Sequence, residues 1–279
     1  MILSYALTAS LIFFQSLEIP HFGYSTTLDL TRLSELLPTL NSYIPAVYAL
    51  PSSDSTSSLS PAVSPDAIFP GSRVPVESDP STRYTRLTLL PLLLKTLSRA
   101  MLEWPLFRSF ISFYPDPASK EKPKLSIRPH ADIAIALSTP TGLYTPTLTA
   151  ADTLTPFAIM SRLRRLQYLG RQTPCALGPA EMPKRGGTIT VSNVGAIGHG
   201  EFAAPVLVPG GGVAIVAIGR AKWVDVIPED GIGPSRRRLL MGVSWSADHR
   251  VVEGAEMAAF TETWRSWVEH PERLVGDAV

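Results

Sequence analysis

The amino-acid sequence predicts an α/β domain built on a mixed sheet. Three observations carry that reading. Hydrophobic residues make up 45% of the 279 and charged residues 18%, a composition that supports a core and excludes wholesale disorder. Some apolar runs have the period of helices, and others alternate or are rich in β-branched residues as strands are. The two kinds do not follow the regular strand–helix–strand order of a doubly wound parallel sheet. The length suits one large domain or two small ones, and no internal repeat is visible.

The elements follow in order. Residues 1–17, MILSYALTASLIFFQSL, carry no charge. A span needs about 20 apolar residues, and this run contains Ser, Thr and Gln. It has no basic region of the kind a secretory leader opens with. It reads as a core helix or a misread chain start, the alternative being a signal or anchor. TRLSELLPTL (31–40) is a helix starting at Asp29 or Thr31 and stopped or capped at Pro38. Residues 51–82 contain ten Ser and six Pro, with Arg73 the one basic residue. Such a stretch cannot bury enough apolar surface to offset its ordering entropy, so a disordered surface insertion is expected there.

RLTLLPLLLKTLSRAMLEWP (86–105) has leucines on more than one face, as a helix buried on several sides does. KLSIRPH (124–130) and DIAIALS (132–138) read as strands. In TPFAIMSRLRRLQYLG (155–170), Thr155 can N-cap a helix, Pro156 suits its first position and Gly170 should follow its end. GGTITVSN (186–193), GVAIVAIG (212–219) and RLLMGVSWSAD (238–248) are strands, the last with strong alternation. Residues 253–268 form a helix with Met257, Phe260, Trp264 and Trp267 at helical spacing.

Charge and cysteine content narrow the function. Lys plus Arg is 25 against 24 for Asp plus Glu, which argues against a global nucleic-acid binder. One cysteine, Cys175, excludes an intramolecular disulfide and a cysteine zinc cluster. It reads as a neutral thiol in a reducing compartment. The glycines at 210–212 lack a following Gly-Lys and read as a turn, not a phosphate loop.

Of the five histidines, His249 stands out. In SWSADHRVVEGAEM it closes a buried strand and precedes a helix. From a strand end an imidazole can project into a cleft and act as a general base. Asp248 and Arg250 flank it, and Glu253 follows four residues later beside Gly254. Ser192, in VSNVG, taken alone reads as a residue that ends a strand.

HRVVEG resembles the HxxxDG signature of the dihydrolipoyl acyltransferases of 2-oxo acid dehydrogenase complexes and of the related chloramphenicol acetyltransferases. The resemblance extends through collinear blocks: LEIPHFGY, LTLLPLLLKTLSRAMLEWP, DIAIALSTPTGLYTP, RLRRLQYLG, GGTITVSNVGAIGHGEFAAPVLVPG, GVAIVAIGRAKWV and MGVSWSADHRVVEGAEMAAFTETW. It covers residues 16–279 apart from the insertion at 51–82, and leaves 1–15 as an atypical apolar segment. SWSADHR and SNVG look most like the branched-chain member.

That resemblance implies a two-layer α/β sandwich like chloramphenicol acetyltransferase. It implies transfer of an acyl group, a branched-chain one in particular, between dihydrolipoamide and coenzyme A. A succinyl or acetyl transferase of the family, or a catalytically impaired core subunit, is the alternative. His249 matches the family's base, and Ser192 its oxyanion donor. Thr88, Gln167, Ser192, Asn193 and Gly219 match coenzyme A contacts, Thr88 replacing a serine. Ser138 stands where the branched-chain member has aspartate, and Leu37 where an arginine would align. Glu253 stands where the family has aspartate or asparagine; it either joins the active-site hydrogen bonds or simply suits the start of a helix. No lipoyl-lysine context precedes the core, so lipoyl domains are expected to act in trans, alongside other subunits of the complex. The family also implies a trimer or larger cubic core, active sites between subunits, a mitochondrial matrix address, and no membrane or nucleic-acid partner.

Overall fold

The computed structural model describes residues 19–50, 79–112, 124–207, 212–228 and 233–276. The apolar segment 1–15 and most of the Ser/Pro insertion, 51–78, lie outside the described residues.

The described strands form one seven-stranded mixed sheet and two short ribbons. Its spine is β11 (Arg236–Asp248), a 13-residue strand buried from Met241 onward. β1 (His21–Asp29) lies antiparallel along its whole length, His21 opposite Asp248 and Asp29 opposite Leu240. β9 (Ala214–Ile218) flanks β11 on the other side, antiparallel. β8 (Ile189–Asn193) then runs parallel to β9, and β4 (Ile133–Ile135) parallel to β8. β7 (Thr147–Leu148) closes that edge antiparallel. β10 (Lys222–Val226) pairs with the first half of β11. Parallel and antiparallel pairs thus share one sheet, as the irregular element order predicts.

Helices cover one face, giving a two-layer sandwich. α1 (Thr31–Ser42), α2 (Leu89–Glu103), α3 (Pro156–Arg171) and α4 (Gly254–Glu269) are the long ones, and α5 (Arg273–Gly276) is a single turn at the end. α2 and α4 pack together, locked by the Trp264 indole N–H donating to Thr96 Oγ1 at 3.1 Å. Trp245 from β11 meets Phe260 and Trp264 edge-on, and Phe260 stacks on Phe107. These rings are fully buried or nearly so, so each contributes a large apolar area to the core. As expected, α2 is buried on several sides.

Four local expectations are corrected. Pro38 does not stop α1, which runs on to Ser42. Leu33 is buried and Leu37 and Leu40 pack on the core, so the packed face spans the proline. Pro38 itself is exposed, where water can take the carbonyl it leaves free. Gly170 lies inside α3, not after it; a Cβ there would come within 2.9 Å of Leu137 Cδ2. The 124–130 run is a strand only over β3 (Lys124–Ile127), an exposed strand that among the described residues pairs with β2 (Ser109–Ser112), whose Ser109 and Ile111 are buried. The 132–138 run breaks after β4 and resumes as β5 (Leu137–Thr139), a hairpin with β6 (Gly142–Tyr144).

The insertion returns earlier than composition suggests. Asp79 Oδ1 accepts from the Ser81 N–H at 2.9 Å and opens a 3-10 turn, Pro80–Thr82. The Tyr84 N–H donates to Tyr48 O at 2.9 Å, and the two rings stack. The described residues on either side of 51–78 are thus held together at one closed neck.

Candidate active site

His249 follows the last residue of β11. Its N–H donates to Pro20 O at 2.8 Å, which ties it to the chain entering β1. The residue before it, Asp248, is 2% exposed. The Asp248 carboxylate accepts from Arg250 Nε at 2.8 Å, Arg250 Nη2 at 2.6 Å and the Arg250 N–H at 3.0 Å. A buried carboxylate needs such a fork. The Asp248 carbonyl accepts from the Val251 and Val252 N–H groups. The 248–252 turn is thus bound from both sides, while the imidazole stays exposed.

That imidazole rests on Phe22 of β1, centroids 5.1 Å apart and planes 56° apart. Phe22 also explains the glycine of the HRVVEG block: a Cβ at Gly254 would fall 2.9 Å from Phe22 Cζ. Sequence reading missed Phe22, because β1 pairs with a strand more than 200 residues away. The alternation in HFGYSTTLD is the signal that marks it.

Glu253 is the N-cap of α4. Its N–H donates to the Glu256 carboxylate at 2.9 Å. Its own carboxylate turns back toward the Glu256 N–H as the weaker half of a capping box.

The expected coenzyme contacts fall in two places. Thr88, Asn193 and Gly219 line one cavity of about 230 Å³, floored by Leu93 and Met241. Thr88 is the N-cap of α2, and its hydroxyl makes no capping hydrogen bond. Asn193 Oδ1 accepts from the Ala196 N–H at 3.2 Å, which shapes the turn after β8. Only glycine fits at Gly219, since a Cβ would lie 1.9 Å from Glu201 O in the 194–207 loop. Ser192 precedes Asn193 on β8 and is half-buried. Gln167 lines a different cavity, on α3. Leu37 packs on the core, and Ser138 sits on the β5–β6 hairpin opposite Leu143.

Ser192 and His249 do not meet within one chain. Ser192 is in register with Ala217, and Ala217 with Ser244. His249 lies five residues beyond Ser244, roughly 16 Å along the strand and two strands over. Hydrogen-bond reach is about 3 Å.

No helix of the described residues is long and apolar enough to cross a membrane. No group of three or more His, Cys, Asp or Glu among them could hold a metal ion.

A mixed sheet with one helical layer, and an exposed histidine at the end of its longest strand, defines a two-layer α/β sandwich. The chain belongs to the 2-oxoacid dehydrogenases acyltransferase (catalytic domain) family, whose model matches residues 10–276. It is 31% identical over 263 residues to the mitochondrial lipoamide acyltransferase component of the branched-chain alpha-keto acid dehydrogenase complex of Mus musculus. That match covers 94% of this chain and 44% of the mouse protein, so the chain spans less than half of that relative. The dihydrolipoamide acetyltransferase of Azotobacter vinelandii, investigated for the role of a serine, a histidine and an asparagine in its catalytic mechanism, superposes with a TM-score of 0.72. The identity is 22%, covering 98% of this chain and 91% of that one. The cubic core of a pyruvate dehydrogenase multienzyme complex superposes with a TM-score of 0.70 at 22% identity, covering 95% and 88%. These two structures share the fold.

Proposed function

We propose that this chain is the catalytic domain of a dihydrolipoamide acyltransferase, moving a branched-chain acyl group between dihydrolipoamide and coenzyme A. The observation that carries the reading is the family match across residues 10–276, with His249 exposed at the end of β11. In this reading the His249 imidazole takes the proton from the attacking thiol. The sulfur bonds to the thioester carbon, and Ser192 donates to the oxyanion that forms. Collapse breaks the original C–S bond, and the imidazolium returns its proton to the leaving thiolate.

The distance between Ser192 and His249 within a chain supports a site shared by two copies. Closed symmetry supplies such interfaces, and the cubic-core relative supports a trimer or a multiple of it. The chain would work on lipoyl domains supplied in trans or by segments of a longer protein, together with other subunits of a 2-oxo acid dehydrogenase complex. The mitochondrial relatives support a place in the mitochondrial matrix. Thr88, Asn193 and Gly219 would hold the coenzyme near its thiol end.

The test is acyl transfer from a panel of acyl-CoAs to free dihydrolipoamide. The expected result is transfer with a preference for branched acyl chains. Absence of transfer by folded, oligomeric protein with every acyl-CoA would sink the reading.

A further inference from the structure

The Leu207 N–H donates to His21 Nε2 at 3.2 Å. A backbone N–H can only donate, so that nitrogen carries no proton and the imidazole is neutral. Four residues earlier, the Ala203 N–H donates to Ser244 Oγ at 3.3 Å. Ser244 and Asp248 are also four residues apart on β11, and Asp248 lies opposite His21. Each span is about 13 Å in extended chain, so residues 203–207 run as a strap along β11. Ala203, Pro205 and Leu207 turn inward, while Ala204 and Val206 are exposed. Trp245 faces the helices, so Ser244, Asp248 and His21 belong to the opposite face of the sheet. The strap lies on that face. Among the described residues its N–H groups at 203 and 207 go to these side chains, not to a neighbouring strand.

His21 is also the middle residue of the short segment that holds His249. The Pro20 carbonyl accepts the His249 N–H, and the Phe22 ring packs on the His249 imidazole. These residues open β1, and the ends of elements are where a fold loosens first. Pairing with β11 secures this end along its edge, and the strap secures it from the outer face. Leu207 is 3% exposed, so loss of the His21 acceptor would leave a buried N–H unpaired, which is costly.

We propose that His21 is a positioning residue for His249, a role that rests on the function proposed above. The neutral His21 imidazole latches the strap over the start of β1. The latch fixes Pro20 and Phe22, and those two groups fix the base. His21 itself moves no proton in this role. It keeps His249 within the narrow range of positions from which proton transfer is fast. Ser244 latches the other end of the strap, away from residues 20–22, and has no such role.

The experiment compares His21→Leu, His21→Gln and Ser244→Ala with the unaltered full chain. Steady-state acyl transfer and hydrogen exchange of the 203–207 amides are measured on each, and circular dichroism checks the fold. Glutamine carries an amide oxygen that can accept the Leu207 N–H in place of Nε2, whereas leucine has no acceptor. In His21→Leu, exchange at Leu207 should rise about fivefold, as loss of one typical hydrogen bond would give. Its kcat should fall about tenfold while the KM for coenzyme A holds. His21→Gln should recover most of both. Ser244→Ala should speed exchange at Ala203 and leave kcat near that of the unaltered chain. If His21→Leu does not fold, His21→Asn takes its place, being polar but too short to reach Leu207. Unchanged exchange at Leu207 overturns the latch. Faster exchange with unchanged kcat, a His21→Gln no better than His21→Leu, or an equal fall of kcat in Ser244→Ala overturns the positioning role alone. No transfer by the unaltered chain is instead a failure of the functional reading, and takes this role with it.

Discussion

The Phe22 ring packs directly against the His249 imidazole, so the side chain proposed as base is positioned by a strand from the opposite end of the sequence. The same ring fills the space where Gly254 would otherwise carry a Cβ. Phe22→Ala is expected to lower kcat about tenfold, because small displacements of a reacting group are costly. The KM for coenzyme A should hardly move. Steady-state kinetics with both substrates checks this, and an unchanged kcat would mean that the ring does not orient the histidine.

His249→Ala should lower turnover by roughly 10²–10⁴-fold, and Ser192→Ala by roughly 10²–10³-fold. Coenzyme A binding should change little. The separation of the two residues adds a sharper test. If each site takes Ser192 from one copy and His249 from another, mixing the two inactive variants under exchange conditions should restore about a quarter of the sites. Light scattering should give a trimer or a multiple. An active monomer, or no recovery on confirmed exchange, rules out the shared site.

Much of the molecule is legible in the sequence where burial is periodic. β11 and α4 are examples, since their packed residues recur at strand and helix spacing and their rings meet as expected. His249 is legible because a strand end is a local feature. What escapes is decided by distant partners. Pro38 and Gly170 are helix-stop signals read locally, yet packing of Leu37 and Leu40 carries α1 past one and Leu137 crowds the other inside α3. Phe22 is invisible as a site residue until β1 is placed beside β11. The distance from Ser192 to His249 depends on register through β9, which no linear pattern encodes.

Deletion of residues 51–78, joined by a short Gly/Ser bridge, should leave the melting temperature within a few degrees. Their composition argues against packing, and the neck is closed by Tyr48 and Tyr84. Deletion of 51–82 should cost more, because it removes Asp79, its turn and its contact with Arg165. Thermal melts of the two deletions compare them. Equal losses would mean that the 79–82 turn contributes nothing.

Acid stability should depend on Asp152. Burial pushes its carboxyl up, but hydrogen bonds from His130 and the Ala131 N–H outweigh it and hold it below the usual value. Its side chain is 7% exposed. A folded-state value below the unfolded one means that the unfolded chain binds more protons in the titration range, so stability rises with pH there. The contribution is complete above the ordinary carboxylate value of about 3.9, and is lost as pH falls through the lower folded value. Asp152→Asn should therefore be less stable at pH 6 and lose less on acidification to pH 3. Urea midpoints across that range measure it, and parallel curves for the two proteins would contradict it.

Glu253 carries the last prediction. As the N-cap of α4 its N–H is already held by Glu256, and its carboxylate leans back over the first turn. It lies four residues after His249, on the far side of the turn that Arg250 and Asp248 brace. Aspartate is among the best N-cap residues, so Glu253→Asp keeps the charge and should improve the cap. It also draws the carboxylate in by one methylene. If a short side chain belongs in the hydrogen bonds around the reacting thiol, turnover should rise severalfold with no change in coenzyme A affinity. Glu253→Ala separates the two roles. Loss of the cap should cost about 0.5–2 kcal/mol of stability, whatever happens to the rate. A Glu253→Asp enzyme that is more stable yet no faster would leave Glu253 as a helix cap alone, and the proposed chemistry would then rest on His249 and Ser192.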